Sequence, residues 1–247
     1  MSAFFEELDY RPTPIGALSL RRRREMTLGV DVIEIKLGEE FLMSSLFTDS
    51  EVALARLGLA GLPGEGLDVV VGGLGLGYTA RTVLEHAAVR SLVVVEMLEA
   101  VIDWHEQGLL PLGAGLTSDP RCRFVQADFF ACAATQDGFD PQEPARKFHA
   151  ILLDIDHSPK ALLDERSACF YREAGLRQFA DHLHPGGVFG LWSNDRPEDG
   201  FTQRLVSVFG EGRAEEVTFH NPLQDRPFTQ TVYLARKAGT LPGTNTA

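Results

Sequence analysis

Three carboxylates and one glycine cluster are the residues of this chain whose types and spacing suit chemistry. Glu96, Asp128 and Asp154 each close a strand-like run, in "SLVVVE", "RFVQAD" and "AILLD". A carboxylate at the end of a buried strand stands at the carboxyl edge of an open α/β sheet, where such folds bind ligands. The stretch "VVVGGLGLGYTARTVLEH" places four glycines, Gly72, Gly73, Gly75 and Gly77, in six positions between an apolar run and a helical segment. Glycines there let a ligand approach the backbone and meet the N–H groups of a helix start. Close packing of helix on strand is the plain alternative. Glu96, with Met97 beside it, lies about 20 residues beyond the glycines, the offset of a carboxylate that accepts from ribose hydroxyls. Asp128 suits an adenine amino group, with Phe129 or Phe130 against the ring. Asp154 faces the same crevice. It suits a general base that takes the proton of an attacking amine, the alternative being an Asp that caps the following loop.

Two nucleoside readings fit the glycines. Gly75-x-Gly77-x-x-Ala80 matches a dinucleotide fingerprint, and Gly73-x-Gly75-x-Gly77 matches the loop of S-adenosylmethionine (SAM) binders. A nicotinamide enzyme needs a second mononucleotide half or a separate substrate domain. This chain instead closes with two strands, "AEEVTFHN" and "TQTVYLARK", with no helix between them. The SAM-type reading is therefore favoured, with no metal expected.

The elements that position these residues follow from the hydrophobic pattern. "IGALSLRRRRE" and "DVIEIKLGEEFLMSS" read as strands joined by the turn "MTLGV". "TDSEVALARLGLA" reads as a helix capped by Asp49 or Ser50, with Val52, Ala53, Leu57 and Leu59 toward the core. After the loop "GLPGEG" strands and helices alternate, which implies a mainly parallel sheet covered on both faces. "ERSACFYREAGLRQFADHL" reads as one long amphipathic helix, and the last two strands as an antiparallel pair. The expected organisation is α/β: a small N-terminal β-hairpin domain with a connecting helix (1–60), a seven-stranded Rossmann-like SAM-methyltransferase sheet (61–238) and a flexible tail (239–247).

The chain has 247 residues and a net charge of −12. Such a surface repels nucleic acid and anionic membrane and attracts a cationic acceptor. Cys122, Cys132 and Cys169 are odd in number and form no CxxC, so they read as buried, inert thiols. No signal peptide or membrane span is read, and the expected location is the cytoplasm. The run Arg21–Arg24 reads as a solvated edge strand, the alternative being an interface paired with acidic surface.

On these segments the chain resembles the spermidine synthase (polyamine aminopropyltransferase) family, which shares the SAM-methyltransferase fold. The glycine box with "VVVE", "DPRCRFVQADFF", "FHAILLDIDHSP" and "FYREAGLRQFADHLHPGGVFGLW" carry the resemblance. It implies a donor of SAM or decarboxylated SAM, an amine acceptor, and a homodimer formed through the N-terminal strands. It also gives Asp154 the family's general-base position. The departures fall on the acceptor side. The family's GGGDGG is "GGLGLG" here, with Gly75 where an Asp lies near the aminopropyl end of the donor. That loss relieves repulsion of a carboxylate and favours ordinary SAM. The family's DSTD is "DIDH", so His157 replaces the acid that holds the diamine, and Asp156 offers a carboxylate on a shifted spacing. For His157 an acid/base, a ring stacked on the acceptor and an exposed loop residue are the readings, with loop exposure favoured. Trp192 and Asn194 are read as walls of the acceptor pocket, with core as the alternative for Trp192. The leading function is a spermidine synthase-like transferase acting on a small amine. The alternatives are a small-molecule methyltransferase and a nucleoside-binding protein without catalysis.

Overall fold

The computed structural model describes residues 4–13, 15–239 and 241. An antiparallel sheet of four strands in sequence order comes first: β1 (Phe5–Thr13), β2 (Gly16–Glu25), β3 (Val30–Leu37) and β4 (Glu40–Ser44). Strand β1 has no counterpart among the expected elements; its "FEELDYRPT" alternates burial weakly and pairs along β2. Pairing on both sides makes β2 an inner strand, which corrects the edge position expected for the arginine run. Arg21 and Arg23 both bond the buried Glu34, while Arg22 bonds Glu6 and Arg24 bonds Asp31. The run therefore knits the sheet together.

Helix α1 (Asp49–Leu59) leads into the second sheet. Its N-cap is Thr48, and neither Asp49 nor Ser50 caps it. Leu54, Ala55, Gly58 and Leu59 form its buried stripe, whereas Val52, Ala53 and Leu57 are half-buried. Gly58 is required there, since a Cβ would stand 2.5 Å from a Leu152 methyl group.

The second sheet has seven strands in the order β10-β11-β9-β8-β5-β6-β7. Five run parallel: β5 (Leu67–Gly72), β6 (Val89–Glu96), β7 (Cys122–Gln126), β8 (Phe148–Leu153) and β9 (Leu183–Ser193). β10 (Gly210–Asn221) and β11 (Arg226–Lys237) are the antiparallel pair read from the sequence. The Val and Leu runs of β5, β6 and β8 are covered on both faces, as a parallel sheet demands. One face carries α1, α2 (Tyr78–Glu85), α3 (Glu99–Glu106) and α4 (Gly113–Thr117). The other carries α5 (Phe129–Ala133), α6 (Glu173–Asp181) and α7 (Asp199–Phe209) around a stack of Phe129, Phe139, Phe179 and Phe189.

The helix expected over 165–183 is broken. A 3₁₀ segment, Glu165–Tyr171, ends at an extended Arg172 before α6 begins. Arg204 donates to the Tyr171 carbonyl at 2.7 Å, satisfying a group that a continuous helix would have bonded internally. Of the cysteines, Cys122 and Cys132 are half-buried and Cys169 is exposed, so the last departs from the expectation. The tail at 239–247 lies outside the described residues except for Gly239 and Leu241, and Leu241 is buried.

Candidate active site

β5 lies between β6 and β8, and the chain first builds outward through β6 and β7 before returning to β8 and β9. The strand order reverses between β5 and β8, and a crevice opens at the carboxyl ends of those strands. The glycine loop leaves β5 there and Asp154 leaves β8, joined by a hydrogen bond from the Asp154 nitrogen to the Gly72 carbonyl at 2.8 Å. The cleft encloses about 1180 Å³ of empty space with its mouth included.

The glycines divide between cleft and scaffold. Gly73 and Gly75 line the cleft. Both have positive φ, +91° and +46°, a conformation that side chains with a Cβ adopt at a cost. Gly72 and Gly77 make room for packing instead. A Cβ at Gly72 would meet the Phe129 ring at 2.7 Å, and one at Gly77 would meet Leu116 at 2.7 Å and His105 at 2.9 Å. His105 is buried on α3, and its Nε2 lies 3.0 Å from the Gly75 carbonyl. Burial holds its pKa below the usual histidine value, so a neutral ring donating through Nε2–H braces the loop.

Glu96 holds the loop from the other side. Its two oxygens accept from the Leu74 and Leu98 nitrogens, each at 2.9 Å. Loss of water around it raises its pKa, and these backbone amides oppose that rise. Met97 lines the same wall. Asp128 accepts from the Phe130 and Ala131 nitrogens, both at Oδ1, and so caps α5. Phe129 touches the cleft, but its ring belongs mostly to the core stack.

Asp154 is pushed up to about 6 by desolvation at the strand end, with the Thr79 hydroxyl pulling the other way through a 2.6 Å bond to Oδ2. Asp156 also lines the cleft but is committed to the fold. Its oxygens accept from the Leu163 nitrogen at 2.7 Å and the Tyr171 hydroxyl at 2.5 Å. His157 is half-buried and pairs through Nε2 with Glu40 of β4 at 2.9 Å, which corrects the exposed loop position favoured from the sequence. Trp192 is half-buried in the cleft wall and donates from Nε1 to Ser50 Oγ at 2.7 Å. Asn194 is exposed and forms no part of that wall, which corrects its expected place in the pocket; it accepts from the Gln230 amide at 2.9 Å. Among the described residues no three His, Cys, Asp or Glu side chains gather as a metal site.

Two contributors carried no motif. The N-terminal sheet roofs the cleft with Ile15, Ile35, Leu37, Leu42 and Met43, and Met43 sits against Gly75. Helix α1 contributes Glu51, which is buried and lines the same cleft. Its one sequence signal is position: a charge at the start of the stripe Leu54, Ala55, Gly58, Leu59, on the face that helical spacing turns inward.

A glycine loop, strand-end carboxylates and a reversed strand order meet at one cleft on a methyltransferase-like α/β fold with an added N-terminal β-sheet. The comparisons with known proteins agree on the fold. No protein-family model matches the chain. It is 28% identical over 161 residues to polyamine aminopropyltransferase 2 of Pseudomonas aeruginosa, covering 61% of this chain and 42% of that protein. It is 29% identical over 130 residues to the polyamine aminopropyltransferase of Aeropyrum pernix, covering 52% of this chain and 38% of that protein. The match spans about two fifths of the length of these curated relatives. Among solved structures, a spermidine synthase in complex with the transition-state analogue AdoDATO has a TM-score of 0.71 at 19% identity, over 94% of this chain and 74% of that one. Spermidine synthase from Thermotoga maritima has a TM-score of 0.68 at 18% identity, over 94% and 72%. In sequence the chain is similar to polyamine aminopropyltransferases, and in fold it is spermidine synthase-like.

Proposed function

We propose that the protein is a spermidine synthase-like transferase that moves a group from the sulfonium centre of SAM or decarboxylated SAM to a small amine. The observation that carries this reading is the position of Asp154. It is tied through its backbone to the glycine loop, its carboxylate opens on the cleft that Glu96 and Asp128 also line, and its pKa near 6 leaves it ionised at neutral pH.

In this reading Glu96 and Met97 hold the ribose side of the donor. Asp128 receives the adenine amino group at the oxygen that does not cap α5, and Phe129 closes the pocket floor. Gly73 and Gly75 admit the donor to the backbone. The acceptor enters between Asp154, Trp192 and the apolar roof, near His157 and Asp156. Its ammonium pairs with Asp154 and gives up a proton, and the neutral nitrogen attacks carbon in line with the sulfonium. The new C–N bond forms as the C–S bond breaks, and its electrons return to sulfur as a neutral thioether.

The division at residues 60 and 238, a cytoplasmic location, no nucleic-acid or membrane partner, and a homodimer complete the reading. Among the described residues no helix is long and apolar enough to cross a membrane. The dimer is supported by apolar side chains exposed on the N-terminal sheet, among them Phe5, Tyr10 and Phe41.

Product analysis tests the function. Incubation with either donor and a panel of amines should release methylthioadenosine together with an alkylated amine. S-adenosylhomocysteine would instead mark methyl transfer, and neither product, with nucleoside still bound, would mark a binding protein.

A further inference from the structure

Glu51 and Asp154 reach the same cleft from different elements, the first turn of α1 and the end of β8. Thr79, at the start of α2, touches both: its hydroxyl lies 2.6 Å from Asp154 Oδ2 and 3.4 Å from the Glu51 backbone carbonyl. The other carboxylates that line the cleft are engaged, Glu96 and Asp128 by backbone amides, Asp156 by Tyr171 and Asp164 by Arg166. Among the described residues neither Glu51 nor Asp154 has a lysine, arginine or histidine partner.

The hydrogen bonds around Ser50 bear on the charge of this pair. Ser50 Oγ accepts from Trp192 Nε1 at 2.7 Å and lies 2.7 Å from Gln230 Oε1 and 2.8 Å from Glu51 Oε2. The Gln230 amide is oriented by the bond from its Nε2 to Asn194. One hydroxyl proton cannot serve two acceptors. If it goes to Gln230, the bond to Glu51 forms only when Glu51 itself donates, as a carboxylic acid.

We propose that Glu51 and Asp154 form the acceptor subsite as a carboxylate pair that holds one proton between them, taking a single primary or secondary amine nitrogen. This rests on the transferase reading for the identity of the ligand. Burial and the charge of Asp154 raise the Glu51 pKa to about 8, in keeping with the bonding pattern; Asp49 adds to the rise, and Tyr78 of α2 is the other titratable group that faces Glu51. An incoming ammonium meets a site of charge −1. Its proton passes to the pair or directly to water, the neutral nitrogen forms its bond to carbon, and the positive charge leaves sulfur for the product nitrogen. The product cation then pairs with the same site until one proton returns to solvent.

The test is a carboxyl-carbon NMR titration of protein labelled in Glu and Asp, with amine binding measured beside it. Putrescine and butylamine serve as probes at saturating methylthioadenosine. Glu51 should keep its proton to neutral pH while Asp154 is ionised. Amine binding to the native chain should strengthen more than tenfold as Glu51 ionises above about pH 8, and Glu51→Gln should abolish that strengthening while changing methylthioadenosine affinity less than twofold. Glu51→Asp should restore part of the pH dependence, which a purely structural defect would not. Glu51 titrating with ordinary carboxylates, or the same pH dependence of amine affinity in a folded Glu51→Gln variant, would overturn the proposal. Absence of any transfer product with these signals intact would count against the transferase reading and leave the amine subsite standing.

Discussion

The sulfur of Met43 occupies the space that a side chain at residue 75 would need: a Cβ built on Gly75 stands 2.7 Å from Met43 Sδ, and the Leu76 nitrogen lies 3.1 Å from the same atom. The charge absent at Gly75 is thus replaced by a thioether from the N-terminal sheet. Asp156 is held by Tyr171 and does not swing into that space. An acid at about 5 Å would favour an ammonium and oppose a carboxylate by about 3 kcal/mol at an effective dielectric near 20. We expect SAM to bind at least as tightly as decarboxylated SAM. Gly75→Asp alone should weaken both, and Met43→Ala with Gly75→Asp should turn the preference toward the decarboxylated donor. Titration calorimetry with the two donors decides it, and a tenfold preference of the native protein for decarboxylated SAM would contradict the expectation.

Glu96 ties down Leu74 and Leu98, and in the proposed function it faces the ribose side of the donor. Glu96→Ala should weaken methylthioadenosine binding by about 1.5–3 kcal/mol, the range for hydrogen bonds to a charged group. Glu96→Gln keeps one acceptor and should lose less. Equal affinities for a folded Glu96→Ala variant and the native chain would remove Glu96 from the site.

Asp154→Asn should abolish turnover while preserving nucleoside binding. Thr79→Val offers a graded control. The Thr79 hydroxyl lowers the Asp154 pKa from within a site where desolvation raises it. Without that bond the acidic limb of the rate profile should move to higher pH. A profile that stays in place would show that another group sets it.

Glu51 makes stability depend on pH with a definite sign. Its pKa lies at about 8 in the folded chain against an ordinary 4.5. Between those values the folded chain binds more protons than the unfolded chain, so the contribution of this group falls as pH rises through the window and levels off above it. Glu51→Gln removes the dependence. Its stability relative to the native chain should therefore improve from about pH 5 to about pH 8.5, by at most about 5 kcal/mol. Urea unfolding at both values measures it, and a difference independent of pH would contradict the assignment.

On the N-terminal sheet the Arg21 guanidinium lies 5.8 Å from the Phe5 ring centre and 5.0 Å from that of Phe41. Both rings are exposed, and they flank Arg21 on one patch. Light scattering should report a dimer at micromolar concentration and a monomer for Phe5→Ser with Phe41→Ser. A native chain that is monomeric throughout that range would refute the expected dimer.

The seven-stranded sheet, its glycine loop and the three strand-end carboxylates were legible in the sequence because each is a local pattern. An apolar run buried on both faces, a glycine cluster and a terminal acid are all read within a few neighbouring residues. Strand β1 was not legible, since "FEELDYRPT" shows little alternation and is held by pairing with β2. The break at Arg172 was hidden for a similar reason, being set by Arg204 from a distant helix.

Residue type and spacing alone determined the glycine-loop half of the cleft, which is built from consecutive strand ends of one sheet. The half beneath the N-terminal sheet was decided by tertiary structure. Met43 reaches Gly75 from 32 positions away, Glu51 lines the same cleft as Asp154 across 103 positions, and Glu40 reaches His157 across 117. No local period encodes such meetings. They exist because α1 packs on the face of the second sheet and carries the N-terminal strands over the cleft, so that a helix-borne acid and a strand-borne thioether complete a pocket begun elsewhere.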